Sequence, residues 1–177
     1  MYHVSTSEMT VGQWMVYNPS SARPHAAFFL EPPPGRDQVG EKYWAYRLVE
    51  SVFEKIRSEL ADKAPSRRTA LFTFPCKGCA EVFRDRSRGG GKVYLVEGRP
   101  DSVVMIADMK LRDAAAILSS ENASVRESRG LSTDPEEATA QLARAYWTGG
   151  VALSFGGTTT VPEILMAGDM RVVEMEG

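Results

Sequence analysis

The chain has 177 residues, 43% of them hydrophobic and 25% charged. That is enough for one domain with its own core and too little for two of ordinary size. A net charge of −2 excludes a nucleic-acid binder working by bulk positive charge, and no apolar run approaches the roughly 18 residues of a membrane span.

The opening MYHVSTSEMT has no basic n-region and no apolar h-region, so no signal peptide is expected. Two cysteines in a single CxxC do not make a disulfide framework. The expectation is one soluble, cytoplasmic domain over residues 1–177, with no membrane contact.

Tyr2 and Val4, then Val11, Trp14 and Val16, predict two short strands joined by a turn at Thr10 to Gly12. The stretch from Asn18 to Gly40 carries five prolines, three of them consecutive, and is expected to be a loop. Within it, Ala26 to Leu30 has the composition of a short strand or turn. Glu41 to Leu60 is the clearest helix. Trp44, Leu48, Val52, Ile56 and Leu60 recur every four residues, Val49 and Phe53 widen the stripe, and Glu50, Glu54, Arg57 and Glu59 line the other face. Pro65 marks its exit.

Thr69 to Phe74 predicts a strand ended by Pro75, and Lys77 to Asp85 a short helix. Arg84 to Lys92 is a basic loop with three glycines. Val93 to Glu97 and Ser102 to Ala107 predict strands, Leu111 to Leu118 a helix, and Ser119 to Leu131 a polar loop. Asp134, Pro135 and Glu137 supply an N-cap, a first-turn proline and a capping-box acid. The helix they open should run through Trp147 and stop at Gly149 and Gly150. Gly156 to Thr160 is expected as a loop. The tail from Pro162 to Glu176 predicts two strands with a turn at Gly168-Asp169. The fold class is α+β: a single compact domain with mostly antiparallel sheets and a few flanking helices.

The chemistry has few candidates. No GxGxxG and no GxxxxGK[ST] occurs, so neither nucleotide-binding fingerprint is present. The only two histidines, His3 and His25, exclude a histidine-rich metal site, and no metal is expected. Cys76 and Cys79 follow a strand and open a helix, where a thiol pKa falls. A redox pair and two small residues packing a turn are the alternatives there. Gly89 to Lys92 lacks the Ser/Thr and the following helix of a phosphate loop, and a hairpin connection is the simpler reading.

Tyr146 and Trp147 suit a core better than a stacking platform. Asp108, at a strand end, suits a turn cap better than a ligand contact. Glu163 sits among Val161, Ile164 and Leu165, either as an edge-strand acid or as a group serving a site.

Several pieces together resemble the ADP-ribosyltransferase superfamily. Met1 to Thr6, followed by Thr10-Val11-Gly12, is similar to that family's first strand and turn. Ala70 to Phe74 with Cys79 to Phe83 resembles its aromatic-ended strand and the helix after it. Lys92 to Glu97 is similar to the next strand, most of all that of the small rifamycin-modifying members. Pro162 to Leu165 resembles the strand bearing the catalytic Glu. The elements are short, spread over nearly the whole chain, and their order and spacing carry the likeness.

The resemblance implies an ADP-ribosyltransferase-like fold and NAD as substrate. His3 would bond the ribose of the nicotinamide half, with Val4 offering its backbone and Ser5 and Thr6 assisting nearby. Phe72 would stack on nicotinamide, and Glu163 would stabilise the positive charge that develops as nicotinamide leaves. Val4 stands where many members have Gly, and Phe72 lacks the hydroxyl of the usual Tyr, which makes Tyr43 or Tyr46 an alternative aromatic.

The rifamycin-modifying enzymes use an Asp near the third strand, which makes Asp108 a second candidate acid. Val161 stands where members that modify protein side chains often carry a second acid, which argues against arginine-directed modification and leaves the acceptor open among nucleic acid, a small molecule and a protein. Nucleic acid would be reached through the Arg84 to Lys92 loop. A toxin role, with an antitoxin partner, fits a small intracellular transferase. The competing classes are a non-catalytic NAD- or ligand-binding module of the same fold and a CxxC thiol redox protein.

Overall fold

The computed structural model describes residues 1–20, 41–86, 91–155 and 159–176. Within them lie seven strands, β1 (Tyr2–Ser5), β2 (Trp14–Met15), β3 (Leu71–Thr73), β4 (Lys92–Gly98), β5 (Val103–Asp108), β6 (Pro162–Ala167) and β7 (Met170–Glu176). Five α-helices accompany them, α1 (Glu41–Leu60), α2 (Lys77–Arg86), α3 (Met109–Leu118), α4 (Ala123–Ser128) and α5 (Pro135–Trp147), with a 3₁₀ turn at Ala152–Phe155. The expected α+β class with antiparallel sheets is what forms. The readings of Ala26 to Leu30, His25, the triple proline, and the side chains of Tyr43, Trp44 and Tyr46 lie outside the described residues.

The strands make two sheets, one ordered β1-β4-β7-β2 and one ordered β3-β6-β5, and every pairing is antiparallel. A pair of backbone bonds joins them at a corner. Tyr2 donates to the Phe74 carbonyl at 2.8 Å and Phe74 donates back to Tyr2 at 2.7 Å.

Two expected local pairings do not occur. β1 and β2 stand at opposite edges of one sheet, because β4 and β7 insert between them. β6 and β7, adjacent in sequence, belong to different sheets. Gly168 at φ +157° carries the chain across, and a Cβ there would meet Ser102 Oγ at 2.1 Å.

Three apolar clusters hold the layers. Leu71 and Met166 from one sheet meet Tyr94, Val96, Met170 and Val172 from the other, forming the core between sheets. Ala80, Phe74, Val93 and Val161 pack α2 against the corner. The largest cluster lies on the far face of β6, where α1, α3 and α5 cover Leu165. Along α1 the buried stripe is Val49, Val52, Phe53 and Ile56, while Leu60 is exposed. On α5, Leu142, Ala143, Tyr146 and Trp147 face the same core, and Trp147 Nε1 donates to the Phe53 carbonyl at 2.8 Å. Each large side chain buried here contributes about 1.5–3 kcal/mol relative to exposure.

Asp134 Oδ1 accepts from the Glu137 amide at 2.8 Å, as the cap sequence dictates, but the Glu137 side chain pairs with Arg144 rather than closing the box. The polar stretch expected as a loop contains α4, capped by Asn122. Arg126 of α4 is buried and donates to the carbonyls of Leu118, Glu121 and Thr133, pinning three turns of chain. The connection before Lys92 joins α2 to β4, so it is not a hairpin.

Candidate active site

Alternation along β6 decides where Glu163 points. Met166 packs toward the other sheet and Leu165 toward the helices, so Glu163, two residues before Leu165, faces the helices. β6 is the central strand of its sheet, which overturns the edge-strand reading, and Glu163 is only 1% exposed.

A carboxylate in such a place needs partners, since an unpaired buried charge costs several kcal/mol. Two groups converge on Glu163 Oε1: Arg67 Nη1 at 2.5 Å and the Tyr146 hydroxyl at 2.6 Å. Arg67 Nη1 also donates to the Tyr146 hydroxyl oxygen at 2.5 Å. The guanidinium carbon lies 5.0 Å from the centre of the Phe72 ring and 5.2 Å from that of Tyr146. Arg67 Nε lies 3.4 Å from Glu50 Oε2, and Glu50 Oε1 accepts from Arg112 Nε at 2.9 Å. The result is a row of alternating charge, Arg112, Glu50, Arg67 and Glu163, gathered from α3, α1, the loop before β3, and β6.

Burial opposes the charge on Arg67, but Glu163, Tyr146 and Glu50 more than offset it, and its pKa stands well above the ordinary value. Burial pushes the Tyr146 hydroxyl well above the usual tyrosine pKa. The Glu163 carboxylate adds to that effect and Arg67 opposes it.

His3 joins through the backbone. Its Nδ1 lies 2.8 Å from the Phe72 carbonyl, which can only accept, so Nδ1 carries the proton. Phe72 therefore touches both halves of the arrangement: its carbonyl holds His3 and its ring faces Arg67. His3 thus reaches Phe72 through its carbonyl and Glu163 reaches the Phe72 ring through Arg67, while Phe72 itself stands opposite Leu165 of β6.

The other nominated residues are less central. Val4 packs its side chain into the corner with Phe74 and Val93, on the opposite face from His3. Ser5 Oγ donates to the Ser7 carbonyl and accepts from its amide, closing a local turn, and Thr6 is exposed.

Asp108 does what the cap reading expects. Its carboxylate accepts from the amides of Lys110 at 3.0 Å, Val161 at 3.0 Å and Ala152 at 2.7 Å. Cys76 and Cys79 form a disulfide rather than merely packing a turn. Among the described residues, no group of three His, Cys, Asp or Glu is placed to hold a metal ion, and no helix is long and apolar enough to cross a membrane.

The sequence signals did not single out Arg67, Arg112 or the hydroxyl of Tyr146, and they placed Glu50 only on the helix face opposite the apolar stripe. Glu50 is one residue from the buried Val49, and only its position against two arginines reveals its role. The Ser66-Arg67-Arg68 run just ahead of a strand was the available hint for Arg67.

No protein-family model and no curated protein matches the sequence.

Proposed function

We propose that the chain is an NAD-dependent mono-ADP-ribosyltransferase, a glycosyltransferase acting on NAD, in which Glu163 is the acid. The observation that carries this reading is the setting of Glu163: a buried carboxylate on a central strand, linked through Arg67 to the Phe72 ring and through Phe72 to His3. The donor set suits such a substrate. A carboxylate answers a cationic sugar, an aromatic ring answers a pyridine, and a guanidinium answers a diphosphate.

NAD, when bound, would supply a cationic pyridinium leaving group on an N-glycosidic bond. Glu163 stabilises the positive charge that grows on the sugar as that bond breaks, more in the transition state than before it. Phe72 and His3 hold orientation, which is a contribution in itself. Tyr146 keeps the carboxylate fixed, and Arg67 holds it until substrate enters. Arg67 is also the cation able to exchange a carboxylate for a phosphate, which would uncover Glu163 as substrate enters.

The test is nicotinamide release from NAD by the purified protein beside Glu163→Gln. Release that falls at least about a hundredfold in the variant supports the assignment; equal release in both rejects it.

A second reading is favoured by the engagement and burial of Glu163. A module that keeps the fold without the chemistry would bind NAD calorimetrically and release no nicotinamide. Absence of both binding and release would remove NAD from either reading.

A further inference from the structure

The Cys76–Cys79 disulfide stands apart from the charged row around Glu163. It lies at the first turn of α2, where Pro75 ends the preceding strand segment and Lys77 opens the helix. The two sulfurs differ in their surroundings. Cys76 is exposed, whereas Cys79 is half-buried against the corner cluster that holds Phe74, Ala80 and Val93.

Cys76 occupies the N-cap position, and its Sγ accepts from the Cys79 amide at 3.1 Å. That bond uses one of the orphan donors of the helix start, so a thiolate formed at Cys76 meets an N–H already aimed at it and the positive end of the helix. The approach is open as well: a Cβ added at the exposed Gly78, between the two cysteines, would meet nothing within 4 Å.

We propose that Cys76–Cys79 is a reversible redox site, opened and closed by thiol–disulfide exchange with a dithiol partner, with Cys76 as the exchanging sulfur. In the opening direction a thiolate of the partner attacks Cys76 Sγ. The bond between the cysteines breaks, and its electron pair leaves on Cys79 Sγ, which takes up a proton. The partner's second thiol then attacks its own sulfur in the mixed disulfide and releases Cys76. The partner loses two electrons and two protons, and the cysteine pair gains both. Closing runs the same steps in reverse, with a disulfide of the same class as oxidant.

The site also has a structural reach. Cys79 packs against the same corner cluster as Tyr2 and Val4 of β1, the strand that carries His3 and against which α2 lies, and Phe74, two residues before Cys76, makes the corner bonds to Tyr2. Opening the bridge therefore loosens the helix turn that backs β1. The redox chemistry itself does not depend on the proposed transferase activity.

The experiment uses the full native chain, air-oxidised and then treated with dithiothreitol as the dithiol, followed by maleimide labelling and mass mapping. The expected result is no labelled thiol before reduction and two after it, with Cys76 labelled at least about tenfold faster than Cys79. A Cys79→Ser variant, exposed to glutathione disulfide, should form its mixed disulfide at Cys76. Two free thiols in the oxidised protein would overturn the proposal. So would a bridge that dithiothreitol opens only after denaturation, or faster labelling at Cys79. The wild-type labelling order needs no variant, so a variant that fails to fold still leaves the proposal decided.

Discussion

Arg67 Nη1 stands 2.5 Å from Glu163 Oε1, across a sequence separation of 96 residues. The pair fixes the loop before β3 to the start of β6. Neither residue is tolerable there alone. Arg67→Met or Glu163→Leu should each lower stability by about 3–5 kcal/mol, by leaving one buried charge short of its partner. Arg67→Met combined with Glu163→Leu should recover much of that loss. Urea unfolding of the singles and the double would show it; simple additivity of the two losses would mean the pair is not coupled.

Tyr146 gives a pH signature. Its pKa is raised in the folded protein above the ordinary value of 10. The folded state therefore holds this proton more tightly than the unfolded one. The stability it contributes is complete below about pH 10 and falls as pH rises from there toward the folded pKa. A tyrosinate absorbance titration should show one tyrosine that ionises only with unfolding, and Tyr146→Phe should remove that late step. A titration unchanged by the substitution would contradict the shift.

Asp108 and Glu163 are both buried acids, but their bonds separate them. Asp108 holds three backbone amides, so Asp108→Ala should cost about 2–3 kcal/mol of stability. At a temperature where the variant is still folded, its nicotinamide release per folded molecule should stay within a few-fold of wild type, while Glu163→Gln loses release. The opposite pattern would move the acid to Asp108.

Gly168 is the crossing between sheets. Gly168→Ala drives a Cβ into Ser102 and forces a left-handed φ on an alanine. A loss of about 1–3 kcal/mol is expected. Adding Ser102→Gly should restore part of it, because Ser102 Oγ and Cβ are the two nearest atoms. Thermal unfolding of the single and double variants measures both; no recovery would place the strain in the backbone alone.

Much of the fold was legible where a signal is local. The stripe from Val49 to Ile56 and the cap at Asp134 set the two long helices within the sequence itself. The helix at Ala123 was missed although Asn122 caps it, because its six residues bury only Arg126 and show no apolar stripe. The split of β6 and β7 between sheets was not legible, since a two-residue turn between strands is also what a hairpin has. Glu163 could be nominated from its apolar neighbours. Arg67 could not be matched to it, because a contact between distant segments leaves no pattern along the chain.

The corner bonds between Tyr2 and Phe74 have a mechanical meaning. Following hydrogen bonds from β3 to β1, β4 and β7, then the covalent turn back to β6 and its pairing with β3, the path returns to where it began. Five strands form a closed circuit with one covalent link. A strand in a circuit cannot slide without carrying its neighbours along. The distance from His3 to Glu163 is therefore set twice, by two routes around the ring, and a disturbance at either sheet is shared between them.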